Sequence, residues 1–173
     1  TYRRDDGTFD YGALKQANAE APNGSLAAIA KNMNNHIWVG LLSTYNNKLT
    51  DNLDLQAGID LRYYKGMHKA KIDDLMGGSY VIDPDRAKVP YRKDDIAWQQ
   101  QRLYIGDIVY RNFDSYIGQY GVFGQVEYSN DKLSAVVSAN ANVTTNQRYG
   151  HFYVDNEKSD VISKFGFGVK GKI

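Results

Sequence analysis

From His36 onward, polar and apolar residues alternate with a period of two, and the alternation falls into five blocks. The clearest is 53–64, LDLQAGIDLRYY. Its odd positions are Leu53, Leu55, Ala57, Ile59, Leu61 and Tyr63; its even positions are Asp54, Gln56, Gly58, Asp60, Arg62 and Tyr64. Successive side chains of a strand point to opposite faces, so this block predicts a strand with one apolar and one charged face. Blocks at 36–45, 116–128, 132–144 and 160–170 follow the same rule. In 116–128, Tyr120, Val122, Gly124, Val126 and Tyr128 share a face opposite Gln119, Gly121, Phe123, Gln125 and Glu127. In 132–144, Leu133, Ala135, Val137, Ala139, Ala141 and Val143 oppose Ser134, Val136, Ser138, Asn140, Asn142 and Thr144. In the last block, Phe165, Phe167 and Val169 oppose Lys164 and Lys170.

The connections alternate as well: 46–52 and 129–132 are short, whereas 65–115 and 145–159 are long and polar. Outer-membrane barrels join strands in this way, with short turns on one side of the bilayer and long external loops on the other. The best strands have about 11 to 13 residues, above the 9–11 that cross a tilted path through a bilayer and well above the usual soluble strand. The expected fold class is therefore all-β: antiparallel up-and-down strands of a transmembrane β-barrel, present in part. Residues 36–173 form the partial barrel, with external loops at 65–115 and 145–159. Alternation also describes any antiparallel sheet with one wet face. A soluble or surface-anchored β-rich binding module is thus the alternative, and it expects the apolar faces of 53–63 and 133–143 to pack together.

Residues 1–35 lack the two-residue period. Thr8 is placed to cap a short helix over Phe9 to Ala21, ended by Pro22, Asn23 and Gly24. Ser25 is placed to cap a second over Leu26 to Met33. The segment is expected to be a loop with short helices.

Composition changes the picture in three places. The 173 residues carry a net charge of +1, which offers no basic face for nucleic acid. Cysteine is absent, which removes disulfides and thiolate metal sites. Mean hydropathy is −0.56 and no stretch is apolar enough for a membrane helix, but a barrel that turns every second residue to a wet interior has low mean hydropathy too. Tyrosine, at 14 residues against 6 Phe and 2 Trp, gathers at predicted strand ends (Tyr45, Tyr63, Tyr64, Tyr116, Tyr128). Its apolar ring and polar tip suit a water–lipid boundary. The chain opens at Thr1 without a signal peptide, as expected of a mature product or a fragment.

Candidate chemistry is sparse. His36, His68 and His151 have no metal-binding spacing, Ser134 and Ser138 lack an evident base, and Gly77-Gly78 is a turn without the lysine of a phosphate loop. No enzyme, metal or cofactor is expected. Asp54, Asp60, Arg62, Gln125, Glu127, Asn140 and Asn142 fall on the predicted interior faces, where they contact a plug or substrate or bond across strands in a wet lumen. Tyr91, Trp98, Tyr104 and Tyr110 lie in the long loop, where aromatics stack on ligands or pack loop against loop.

Three segments carry a resemblance: NNHIWVGLLSTY at 34–45, GIDLRYYKGMHKAKIDDLMGGSY at 58–80 and YGVFGQVEYSNDKLSAVVSA at 120–139. Together they resemble TonB-dependent receptors of the Bacteroidetes type over roughly residues 34–144, with FGFGVKGK near the end a weaker match. The resemblance implies a location in the bacterial outer membrane and uptake of a scarce nutrient (a glycan, a peptide or a metal chelate). It also implies partnership with TonB, a plug domain, outer-membrane lipid and a surface lipoprotein. Five strands fall short of the eight or so of the smallest bacterial membrane barrels, so a barrel fragment is expected, with plug and remaining strands elsewhere.

Overall fold

The computed structural model describes residues 2–173. Along the chain come helix α1 (Tyr11–Glu20), strands β1 (Ile29–Thr50) and β2 (Leu53–Asp74) and the two-residue strand β3 (Val81–Ile82). Two 3-10 turns (Pro84–Lys88 and Pro90–Arg92) lead to the helical turn α2 (Ile96–Gln99) and to β4 (Arg102–Leu103). Then follow β5 (Ile108–Ser129), β6 (Ser134–Gly150), β7 (Glu157–Lys158) and β8 (Ile162–Lys172). β1, β2, β5 and β6 are neighbours in that order in one sheet; β7 and β8 both pair with β6, and β3 and β4 form a separate ribbon. The fold is mostly antiparallel β. The sheet has free edges at β1 and β8 and does not close into a barrel among the described residues.

The chain divides into two compact units. Unit 1 takes residues 1–35, 67–114 and 149–158; unit 2 takes 36–66, 115–148 and 159–173. The long strands contribute residues to both.

Unit 2 is a single sheet. The β1–β2 hairpin turns on Asp51-Asn52. The β5–β6 turn is held by Asn130, whose side-chain Oδ1 accepts from the N–H groups of Lys132 (2.9 Å) and Leu133 (2.8 Å). β6 and β8 pair through eleven positions, from Val136 opposite Lys172 to Asn146 opposite Ile162. The register puts like with like: Ala139 faces Val169, Ala141 faces Phe167 and Val143 faces Phe165, while Ser138 faces Lys170 and Thr144 faces Lys164.

Unit 1 has a buried core. Ile72, Leu75 and Leu103 pack with Ala28, Val81 and Val109, and Leu14, Met76, Val89 and Phe152 are also buried. Helix α1 begins at Asp10, whose carboxylate accepts from the Ala13 N–H at 3.0 Å. Asn18, only 2 % exposed, fastens it. Its amide nitrogen donates to the carbonyls of Ala27 (2.9 Å), Leu75 (3.2 Å) and Met76 (3.0 Å), and its oxygen accepts from Leu26 N–H (2.9 Å). Gly77 lies against this helix at φ +90°, where a Cβ would sit 2.7 Å from the Lys15 carbonyl. Only glycine meets both demands.

Several boundaries differ from those the pattern predicts. The helix expected over Leu26 to Met33 does not form. Ser25 donates its hydroxyl to the Leu75 carbonyl and its N–H to the Tyr80 carbonyl, and β1 starts at Ile29. The first helix is shorter than expected and is capped by Asp10, not Thr8, whose own N–H and hydroxyl turn to Asp6. β1, β2 and β5 each run 22 residues, β6 continues to Gly150, and both long loops shrink accordingly. β2 does not end at Tyr64: its apolar phase inverts. Odd positions are apolar up to Tyr63, whereas from Gly66 the buried positions are even, with Ala70 at 0 % and Ile72 at 4 % exposure. The strand outlives its pattern because its second half packs into the core of unit 1.

Candidate functional site

The two faces of unit 2 differ sharply. On the odd face of β2 and the even face of β5 stand Ile59, Leu61, Tyr63, Tyr120, Val122 and Val126, each more than a third exposed. On β8, Phe165, Phe167 and Val169 are 69 %, 77 % and 73 % exposed. These strands share one continuous apolar surface: Ile59, Leu61, Val122, Ala141, Val143 and Phe165 line a shallow depression on it. The faces of β2 and β6 therefore lie in one plane and do not pack face to face. Lys65 reaches over the Tyr116 ring at 5.4 Å, the geometry of a cation on an aromatic face.

The opposite face is polar and holds the sites read from the interior positions. Asp54, Gln125 and Glu127 gather with Asn46, Lys48 and Gln56 around a depression of about 410 Å³, and Gln56 donates to Asn46 at 3.0 Å. Asp60 and Arg62 form a two-pronged ion pair, with Nε and Nη2 of Arg62 at 2.8 and 2.7 Å from the carboxylate oxygens. They border a second depression, of about 260 Å³, with Gln119, Asn142 and Thr144. Asn140 lies opposite Gly168, its amide over the space a side chain would fill. The alternation did not single out Trp38 of β1, 60 % exposed, whose ring lies over Gly40. Its signal was present: a tryptophan on the even phase of β1, the side of Asn46, which bonds Gln56.

The loop aromatics of unit 1 are dispersed. Trp98 is a packing centre: its Nε1 donates to the Arg86 carbonyl at 2.8 Å, the guanidinium groups of Arg86 and Arg92 approach its ring at 4.3 and 4.5 Å, and Phe152 lies 5.7 Å away. Tyr91 donates its hydroxyl to the Phe152 carbonyl at 3.2 Å. Tyr104 is half exposed in the turn after β4, where its N–H donates to Asp107. Tyr110, at φ +43°, donates to Asn32. Close to this cluster, burial pushes the Asp83 carboxyl above its ordinary range and draws the Arg86 guanidinium below its own. Asp83 Oδ2 and Arg86 Nε have no hydrogen-bond partner among the described residues. Asp95 is held low by the Trp98 N–H it caps and by Arg92.

The histidines are engaged separately. His36 stacks on Tyr64, His68 bonds Asn34 and stacks on Phe113, and His151 lies between Asn156 (2.7 Å) and Asp114 (3.6 Å). No group of three or more His, Cys, Asp or Glu residues placed to hold a metal occurs among the described residues. Among the described residues no helix is long and apolar enough to cross a membrane, which has no bearing on crossing by strands. No protein-family model, no curated protein and no solved structure matches the chain.

Proposed function

We propose that this chain is part of an outer-membrane TonB-dependent receptor that imports a nutrient such as a glycan, a peptide or a metal chelate. The observation that carries this reading is the single-layer sheet of unit 2, apolar and exposed on one face and polar on the other. An aqueous protein would bury so broad an apolar face; a barrel wall presents it to lipid. Dimensions agree. Unit 2 takes roughly 15 residues of each long strand, about 50 Å of chain at ~3.3 Å per residue. At the usual tilt this spans about 35 Å, enough for a hydrocarbon core of about 30 Å. Tyr45 and Tyr128 stand near the hairpin end of the apolar face, with Tyr63, Tyr116 and Tyr120 toward the other, as in the paired aromatic girdles of such barrels. Lipid leaves no water for free backbone groups, so the edges of β1 and β8 require further strands. The resemblance of 34–144 to the receptor family supplies the transport role and the partners, TonB, a plug and a surface lipoprotein. The chain itself is assigned no catalytic step.

The absence of cysteine makes a clean test available. Single cysteines along β5 from Gln119 to Glu127 are labelled with a polarity-sensitive fluorophore in the full-length protein in bilayers. Blue-shifted emission at 120, 122, 124 and 126, with water-like emission at the odd positions, supports the reading. Equal environments on both faces defeat it, and protection of both faces points to the β-rich binding module.

A further inference from the structure

Where the buried positions of β2 pass to its even side, its odd side turns basic. The odd positions run Leu53, Leu55, Ala57, Ile59, Leu61 and Tyr63, then Lys65, Met67, Lys69 and Lys71. Charge replaces apolar surface directly past a tyrosine, with no break in the strand. Lys69 and Lys71 belong to unit 1, as does Lys31 of the neighbouring β1. The bond between Asn34 and His68 (2.9 Å) puts the even positions of these two strands on a common side. Lys31, Lys69 and Lys71 therefore share the other. Lys31 is exposed and the other two are half-buried. None of the three forms an ion pair among the described residues. Asp73, the next odd position of β2, offers one negative charge against three positive ones and pairs with none of them. Like charges side by side on adjacent strands repel, so this surface calls for an anion from outside the chain.

We propose that this lysine surface docks a membrane glycolipid that carries phosphate on its sugars. The inference rests on the receptor reading and names a lipid that surrounds the barrel wall. Charge selects the phosphate, which a lysine ammonium meets as a compact point charge. Height selects the glycolipid. Lys69 and Lys71 stand six and eight residues past Tyr63 on β2, about 20 and 26 Å of strand at ~3.3 Å per residue. At a tilt of ~45° these become about 14 and 19 Å along the bilayer normal. Tyr63 marks the water–lipid boundary in this reading, and the polar layer of a bilayer is only ~5–8 Å deep on each side. Lysine stems reach back toward the membrane, yet at Lys71 they do not close the gap to the phosphate of an ordinary phospholipid. Phosphates on sugars stacked above the acyl chains do reach this level. The hairpin end of the same wall has no such excess: Lys48 and Lys132 are matched there by Asp51 and Asp131.

The test is a binding titration of the full-length protein in detergent. The probes are a short-core lipopolysaccharide with phosphorylated sugars, the same lipid after dephosphorylation, phosphatidylglycerol and inorganic phosphate. Each lysine beside an anionic lipid surface contributes about fivefold to binding. The phosphorylated glycolipid is expected to bind tightest, and the triple variant Lys31→Gln, Lys69→Gln, Lys71→Gln to weaken it tenfold or more. Lys132→Gln, the same charge change at the hairpin end, is expected to alter it by less than twofold. Equal binding of the dephosphorylated lipid, of phosphatidylglycerol or of inorganic phosphate overturns the proposal, as does binding indifferent to the triple variant. The cysteine labelling pattern separates the two readings. Alternating environments along β5 without preference for the phosphorylated glycolipid defeat only the lysine surface, and absence of alternation defeats both. If the triple variant loses the labelling pattern, Lys69→Gln and Lys71→Gln singly decide, each expected to weaken binding at least threefold.

Discussion

Units 1 and 2 are built from the same strands and solve opposite problems. In unit 1 the side chains of Ile72, Leu75, Val89, Leu103 and Phe152 are almost wholly enclosed, and a buried asparagine ties helix to strand ends. In unit 2, Leu41, Val122, Phe167 and Val169 are more than half exposed. Unit 1 adds a helix, two 3-10 turns and a short ribbon to the ends of these strands, whereas unit 2 is sheet alone. Unit 1 carries its own apolar solvent in the form of a core. Unit 2 has none of its own, so its apolar face needs an environment supplied from outside the described chain. The comparison separates two sources of order, packing within the chain and the medium around it, and each can be perturbed alone.

The largest expected effect is in the core. Leu103 is fully enclosed, and Leu103→Ala removes apolar contact and opens a cavity at about 2–5 kcal/mol. Hydrogen exchange is expected to accelerate in the ribbon and at 70–76, and to stay unchanged at 120–128 and 135–145. Acceleration in both regions would show that the two units open together and would erase the distinction.

Next in size is Val122→Arg on the apolar face. A charge there costs about 2–4 kcal/mol if the side chain meets hydrocarbon, whereas an interior position tolerates it. Gln119→Arg on the polar face is the matched control, expected to change stability by less than about 1 kcal/mol. Urea titration of the protein refolded into vesicles reads both. Equal costs would mean that the faces do not differ in surroundings.

Asn18→Ala sharpens the account of unit 1. The change strips partners from the Ala27, Leu75 and Met76 carbonyls and the Leu26 N–H, at about 1–3 kcal/mol for buried groups left unpaired. Asn18→Asp keeps the acceptor and loses the donors, so it is expected to be at least as damaging at neutral pH. Protease sensitivity of 18–28 measures both, and an unchanged cleavage rate would show that apolar packing alone holds the helix.

How far the sequence disclosed these two regions follows from the same contrast. Unit 2 was legible because each strand largely keeps one phase within it: the blocks at 53–64 and 116–128 lie on strands, that at 132–144 does so from Ser134 onward, and Asp60 and Arg62 share a face. Unit 1 was not, because its contacts are non-local. Asn18 meets residues 57 and 58 positions away, the Val81–Leu103 ribbon pairing spans a loop, and nothing in either segment announces the other. The phase inversion after Tyr63 hid the second half of β2, and Ser25, a plausible helix cap by type, is spent on tertiary bonds. Trp98 reads as a loop aromatic free to meet a ligand, yet two arginines and Phe152 surround it. Trp38 lies in a block that reads as a strand by type alone, with no face marked as polar by charged residues.

The smallest effect expected is electrostatic and confined to unit 1. Burial raises the Asp83 carboxyl above its ordinary 3.8, against the opposing pull of the Asp85 N–H and Arg86. The folded state therefore holds the Asp83 proton more tightly than the unfolded chain. Stability from this group is complete below about pH 3.8 and is lost as pH rises through the folded value. Asp83→Asn keeps an acceptor for the Asp85 N–H and removes the buried charge. It is expected to raise the stability of unit 1 slightly at pH 7 and to leave it unchanged at pH 3. Hydrogen exchange in the ribbon at the two pH values checks this. A destabilised variant at pH 7 would mean that the attraction between Asp83 and Arg86 outweighs the cost of burying them, so that the core of unit 1 is held by charge as well as by apolar contact.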